Sequence, residues 1–179
     1  MKMPDQPKIN IEPARIDQIL EILGWAVLLL LWILAIYDRS RLSGDVAINF
    51  KSAGWGDNSG SRSALLVLPL TGTFLLLAMT VLNRFPHVFN YPVPITAENA
   101  PAQYTTATRM LRLMKIAVAA VFTAINRSIF NGAGAGVWFL PLILVIFTAL
   151  AVYFVNQPVK AGKVLSLVRA INAKVHKSK

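Results

Sequence analysis

Hydrophobic and polar positions divide the chain into four long apolar stretches separated by polar segments. The stretches lack the alternation that strands of a membrane barrel need. Each approaches the roughly 20 apolar residues with which a helix crosses the hydrocarbon core of a bilayer. The pattern therefore predicts an all-α integral membrane protein with four transmembrane helices, at about 18–37, 64–83, 110–130 and 136–155.

Residues 1–157 are expected to form this four-helix transmembrane domain, and residues 158–179 a basic amphipathic tail. Aliphatic residues recur at helical spacing from Val164 to Val175, among basic residues and no acidic ones. Such a helix is typical of segments that lie on the anionic cytoplasmic leaflet. A solvated, frayed tail and a docking helix for a cytoplasmic partner are the alternatives. The candidate lipid or partner contacts in the tail are Lys160, Lys163, Arg169 and Lys174.

The composition agrees with a membrane protein, because 55% of the residues are hydrophobic and only 15% are charged. A soluble domain is roughly a quarter charged. The absence of cysteine excludes disulfides, thiolate metal sites and cysteine nucleophiles.

The basic residues predict the orientation of the helices. Of the 18 lysines and arginines, 13 flank the spans on one side or occupy the tails, and 5 lie on the other side. Positive charge accumulates in cytoplasmic segments. We therefore expect a multi-pass protein of the bacterial cytoplasmic (inner) membrane with both termini in the cytoplasm. The net charge of +10 is mostly this topology signal, and it forms no single basic stripe, so no nucleic-acid partner is predicted.

The first loop, outside in this topology, is rich in turn-forming residues from Gly54 to Arg62. One interpretation is a rigid loop that presents charged side chains to a ligand or peptide. The other is a compact turn that docks on the helix ends, with Trp55 as an interface residue. The candidate ligand or partner contacts here are Asn49, Trp55, Asp57 and Arg62.

The second loop, inside in this topology, begins with three prolines in nine residues and is expected to be irregular. A helix is predicted to start at about Thr96 and to continue into the third span, with Pro101 in its first turns. His87 and Glu98 are the candidate cytoplasmic contacts of this loop.

Three pieces of the sequence follow one another around the second span. They are Gly54-x-x-Asp57-x-x-Gly60-x-Arg62, then Leu68-Pro69-Leu70, then Asn83-Arg84-Phe85-Pro86-His87-Val88-Phe89-Asn90-Tyr91-Pro92 with Ile95-Thr96-Ala97-Glu98-Asn99. By their order and spacing, the chain from about Arg41 to Lys115 resembles a bacterial membrane family catalogued as domain of unknown function 1648. The resemblance implies the N-terminal half of an immunity or signalling protein of the sporulation-delaying-protein type. The chain departs from the family at Asn49, where relatives tend to carry a histidine, and at Ala47, where they carry a proline.

Few ionisable residues lie within the predicted spans. Glu21 and Lys115 are near the ends of the first and third spans. Lys115 is expected to reach the interface along its apolar stem, and the two residues could also pair and lock their helices together. No histidine lies near a plausible serine nucleophile, and no phosphate-binding glycine motif is present. No catalytic, cofactor-binding or metal-binding residue is therefore predicted, nor any cofactor.

The sequence thus favours a non-enzymatic membrane protein that binds a partner, either as a signalling or immunity-like component or as an accessory subunit of a membrane complex. The alternative is a small transporter or channel that works as an oligomer. The expected partners are membrane lipids and either another protein or further copies of this chain.

Overall fold

A computed structural model describes residues 6–43, 46–50, 56–60, 62–91, 93–131, 141 and 143–154. These residues are mainly helical. The elements are α1 (Arg15–Arg41), α2 (Val67–Leu82), α3 (Ala100–Phe130) and α4 (Ile143–Phe154), with strands β1 (Val46–Phe50) and β2 (Gly56–Gly60) and 3-10 turns at Arg62–Leu66 and Pro86–Val88.

Helices α1 and α3 run in the same direction. Asp17, in the first turn of α1, contacts Arg109 in the first third of α3, whereas Asp38, in the last turn of α1, contacts Arg127 near the end of α3. We call these two ends of the helix bundle the Asp17 end and the Asp38 end.

Helix α2 runs in the opposite direction between them. Thr80, close to its end, accepts a hydrogen bond from Lys115 at the Asp17 end. Leu65, just before α2 begins, accepts one from Asn126 at the Asp38 end. The up-down-up arrangement of α1, α2 and α3 is the one that three successive membrane crossings would give.

Apolar side chains fill the centre of the bundle. Leu28, Leu31, Leu76 and Ala119 are all at least 97% buried and pack against one another. Gly72 allows α2 to approach closely, because a Cβ atom placed there would lie 3.2 Å from the Cδ1 atom of Leu28. Trp25, Trp32 and Phe122 pack against this aliphatic cluster, and none of the side chains in the cluster is charged.

Two helices, Arg15–Arg41 and Ala100–Phe130, are long and apolar enough to cross a membrane. Val67–Leu82 and Ile143–Phe154 are apolar but shorter. The helical class of the fold is confirmed. The predicted third span, 110–130, begins later than its helix, because α3 extends ten residues further toward the N-terminus.

A short antiparallel ribbon is an addition to the predicted helices. Strands β1 and β2 pair Val46 with Gly60 and Phe50 with Gly56, with irregular register between these pairs. The sequence of β2, Gly-Asp-Asn-Ser-Gly, consists mainly of residue types that are depleted in strands. Because β2 has the composition of a turn, the sequence pattern did not predict a strand there.

Candidate functional site

A cluster of charged side chains joins α1 to α3 at the Asp17 end. The Arg109 guanidinium donates two hydrogen bonds to the Asp17 carboxylate, from Nε to Oδ1 at 2.8 Å and from Nη2 to Oδ2 at 3.2 Å. Asp17, which is only 2% exposed, also accepts the backbone N–H of Ala14 at 3.1 Å. This carboxylate therefore caps the start of α1 and fixes α3 at the same time.

One helical turn further along, Glu21 meets Lys115. The Lys115 ammonium group donates to Glu21 Oε1, and it also donates to the Thr80 hydroxyl at 2.9 Å. The Trp25 indole N–H donates to the same glutamate oxygen at 3.1 Å. The predicted pairing of Glu21 with Lys115 is confirmed. The Lys115 side chain is fully buried among these partners, and its extension to the membrane interface stays a prediction.

The two acidic residues of this cluster face three basic ones, since Arg112 also approaches it. Arg112 lies 3.6 Å from Glu21 and 3.8 Å from Asp17, beyond the range of a strong hydrogen bond. Each carboxylate is already bound by another cation. The cluster consequently joins the helices and leaves one guanidinium only loosely paired.

A second charge pair joins α1 to α3 at the Asp38 end. Arg127 Nη1 lies 2.6 Å from Asp38 Oδ1, and the Asp38 side chain is fully buried. The Asn126 amide donates to the Leu65 carbonyl at 2.7 Å and is also fully buried. These contacts join α3 to α1 and to the 3-10 turn that precedes α2.

The segment that precedes α1 folds back over the second loop and α3. The Gln6 amide donates to the Phe89 carbonyl at 3.1 Å, and the Tyr104 hydroxyl donates to the Pro7 carbonyl at 3.0 Å. Residues 6–14 are therefore tied to the loop between α2 and α3.

An apolar groove of about 300 Å³ lies on the other side of this loop. The Tyr91 hydroxyl donates to the Pro86 carbonyl at 2.8 Å, which fixes the ring that forms one wall. Burial raises the pKa of Tyr91 above its ordinary value, which favours the neutral hydroxyl that donates this hydrogen bond. We call this the apolar groove; its principal lining residues are Phe89, Tyr91, Met110, Met114 and Phe154.

Two adjoining cavities of about 370 and 340 Å³ open beside the charged cluster. They lie between the segment before α1, the end of α2 and α3. The Asn83 side-chain oxygen is buried there and has no hydrogen-bond partner among the described residues. We call this pair the basic cavity; the residues that line both parts are Pro13, Asp17, Asn83, Arg84 and Arg112.

The candidate residues of the first loop lie on or beside the ribbon. Asn49 is on β1 and Asp57 on β2, with Asn58, the neighbour of Asp57, as the Cα partner of Asn49. Arg62 is exposed and donates to the Leu42 carbonyl at 3.2 Å, so it ties this loop to the end of α1. Trp55 lies outside the described residues.

The other candidates are not brought together. The His87 ring packs edge-on against Phe85 with 6.1 Å between the ring centroids, and Glu98 is exposed in the turn before α3. Neither residue lines the apolar groove or the basic cavity. The predicted tail, 158–179, with Lys160, Lys163, Arg169 and Lys174, lies outside the described residues.

Arg84 and Arg112 were not predicted as site residues: both are among the 13 basic residues that indicate the topology, and Arg84 also belongs to the sequence resemblance. The available signal was their position, since each lies near the predicted cytoplasmic end of its helix. What the sequence could not show is that the segment before α1 brings them to the same cavity.

Comparison with known proteins gives one relative of unassigned function. The chain is 27% identical over 143 residues to an uncharacterized protein of Archaeoglobus fulgidus, with 70% of this chain and 78% of the relative covered. No catalogued family model matches the chain, and no solved structure matches it. The function therefore has to be argued from the geometry.

Proposed function

We propose that this chain is a four-span protein of the cytoplasmic membrane, with both termini in the cytoplasm, that binds a protein partner and catalyses no reaction. In this proposal it acts as a signalling or immunity-like component or as an accessory subunit of a membrane complex.

The exposed faces of the helices support the membrane placement. Ile22 on α1, Phe74 on α2 and Leu144 on α4 are 68%, 71% and 70% exposed, and many other large apolar residues of these helices are exposed with them. Contiguous apolar surface of this extent is typical of a surface that faces lipid or another protein. The charged clusters at the two ends would then lie near the two membrane interfaces.

The apolar groove is the main observation that supports the binding of a protein partner. It is concave and already formed, and two of its lining residues are methionines, Met110 and Met114. Unbranched, polarisable methionine side chains adapt to the shape of an apolar partner. Its position beside the cytoplasmic loop would make it accessible to an amphipathic helix of another protein at the membrane surface.

The aliphatic centre of the bundle supports binding over transport. A path for a polar solute through one copy would need polar side chains along its length. Leu28, Leu31, Leu76 and Ala119 fill the centre of the described helices instead. The acid–base pairs at the two ends lock the helices together and do not extend toward each other through this layer.

Site-specific photocrosslinking in native membranes tests the proposal. A photoreactive phenylalanine analogue would replace Met110 or Met114 in the groove, and Phe74 on the exposed face of α2 as the matched control. We expect one protein to be captured from both groove positions and not from position 74. The captured protein, once purified, should bind wild-type chain in detergent and lose binding to a Met110→Asp variant.

Two results would contradict the proposal. One is the same set of adducts from all three positions, because that would show no preference for the groove. The other is selective, saturable solute uptake by proteoliposomes that hold only this chain, which would favour the transporter.

A further inference from the structure

The basic cavity holds two guanidinium groups with spare hydrogen-bonding capacity. Arg84 is exposed and forms no ion pair with any acidic residue that the structure describes. Arg112 lies at 3.6 Å or more from the two nearest carboxylates, as described above. A guanidinium has five N–H donors, so both side chains can still donate to an added anion.

Two acidic residues, Asp17 and Glu21, lie in the wall, and neither neutralises these arginines. Glu21 is bound by the Lys115 ammonium group. Asp17 faces Arg109 with both of its oxygens and accepts the Ala14 N–H as well. Its lone pairs are therefore largely occupied by these donors. With their partners Arg109 and Lys115 counted, the two carboxylates are balanced, and the charges of Arg84 and Arg112 leave the site net positive. Phosphate is an anion whose geometry matches an arginine fork.

Asn83 adds a polar group that has no partner. Its side-chain oxygen is buried at the wall that the two parts of the basic cavity share, and no described residue donates to it. An amide in this position can bind a hydroxyl group next to a phosphate. The cavity thus offers two cationic donors and one neutral acceptor.

The cavity continues onto an apolar surface. Ile22 of α1 lines one of its parts and is 68% exposed, and Ile19 of α1 and Val81 of α2 are 57% and 55% exposed nearby along the same helices. A ligand with a phosphate in the cavity could therefore lay hydrocarbon chains along the exposed seam between α1 and α2. Basic pockets between helices at the cytoplasmic interface bind anionic lipid headgroups in this way.

We propose that the basic cavity binds the headgroup of an anionic glycerophospholipid, with the phosphate on Arg84 and Arg112 and a headgroup hydroxyl on Asn83. The inference rests on the membrane placement proposed above and not on the protein partner. The bound lipid would fill the space between the segment before α1 and the end of α2, and so join these parts of the protein.

Native mass spectrometry of the full chain in mild detergent tests this site. We expect phosphatidylglycerol to remain bound in preference to phosphatidylcholine. At lipid concentrations well below saturation, Arg84→Gln should lower phosphatidylglycerol occupancy by about tenfold, since a charge-assisted contact is lost. Arg62→Gln, a matched loss of an exposed arginine at the other end of the bundle, should leave occupancy unchanged.

The variants separate binding from folding. Because Arg84 forms no described ion pair, Arg84→Gln should retain the wild-type melting temperature. A second variant, Asn83→Leu, tests the hydroxyl contact. It should no longer bind phosphatidylglycerol in preference to phosphatidic acid, which has no headgroup hydroxyl. Equal retention of phosphatidylglycerol and phosphatidylcholine, or unchanged occupancy in Arg84→Gln, would overturn the proposal.

A competition experiment identifies the source of the phosphate group, a lipid headgroup or a soluble compound. Inorganic phosphate at millimolar concentration should not displace the lipid, because it lacks the acyl chains that lie along the seam. Displacement by phosphate alone would overturn the lipid assignment and indicate a soluble phosphate compound. Loss of lipid selectivity with groove crosslinking intact would refute this inference and leave partner binding standing.

Discussion

The ammonium group of Lys115 is fully buried at the Asp17 end. Burial of an unpaired charge is costly, and a carboxylate with further hydrogen-bond partners offsets that cost. Glu21 supplies the carboxylate, Thr80 accepts a further hydrogen bond, and the Trp25 ring centroid lies 5.7 Å from the ammonium. The stability of this end therefore depends on which member of the pair is removed.

Glu21→Gln is expected to be the most destabilising change in this cluster. It leaves the buried ammonium without its carboxylate, at a cost of about 3 kcal/mol in the free energy of unfolding. Lys115→Met should cost less, because Glu21 is partly exposed and retains Arg112 nearby. The double variant should be more stable than Glu21→Gln alone, because no buried charge then lacks a partner.

Thermal unfolding in mild detergent, followed by circular dichroism, measures this order. Glu12→Gln is the matched control, since Glu12 is exposed on the segment before α1 and should show the wild-type melting temperature. A double variant as unstable as Glu21→Gln would refute the argument from unpaired charge.

At the scale of the elements, the sequence allowed the helices to be predicted more reliably than their surroundings. Hydropathy located α1 and α2 to within a few residues, and Pro101 falls in the first turn of α3 as expected. The start of α3 lies at Ala100, a few residues after Thr96, because reciprocal bonds between Thr96 and Asn99 form a turn first. Hydropathy carries no information on such local side-chain bonds.

The packing of α2 against its neighbours depends on Gly72. A Cβ atom there would lie 3.2 Å from Leu28 and 3.3 Å from Phe122. Gly72→Val should therefore overpack the centre and cost about 1–3 kcal/mol. At Gly24 the corresponding distances are 3.7 Å or more, so Gly24→Ala should be neutral or stabilising by about 0.5–1 kcal/mol. Detergent melting curves compare the two, and equal effects would contradict this packing.

The segment before α1 is held by Tyr104. Tyr104→Phe removes the hydrogen bond to the Pro7 carbonyl, which contributes about 1 kcal/mol. The segment should then open about fivefold more often. Trypsin cleavage of the purified protein after the exposed Lys8 reports this opening directly. Tyr37→Phe, which removes a hydroxyl at the other end of the bundle, should leave that cleavage rate unchanged; an equal increase in both variants would contradict the anchoring role.

At the scale of the whole molecule, charge pairs at each end enclose an aliphatic centre. The Asp17–Arg109 and Asp38–Arg127 pairs fix the parallel register of α1 and α3. Neither the groove nor the basic cavity could be predicted from the sequence, because each is lined by residues from distant segments. Arg84 and Arg112 show this most clearly, since hydropathy places both near a membrane interface but not beside the same cavity.

The proposed four-span topology gives the last prediction. The chain contains no cysteine, so single cysteines can report the side of the membrane on which each segment lies. In intact cells a membrane-impermeant maleimide should label Arg62→Cys, and should label Glu12→Cys, Glu98→Cys and Lys174→Cys only after permeabilisation. Residue 174 discriminates best, because three crossings would place it outside and four place it in the cytoplasm. Labelling of Lys174→Cys in intact cells would therefore refute the four-span topology, and labelling of Glu98→Cys would show that α2 does not cross.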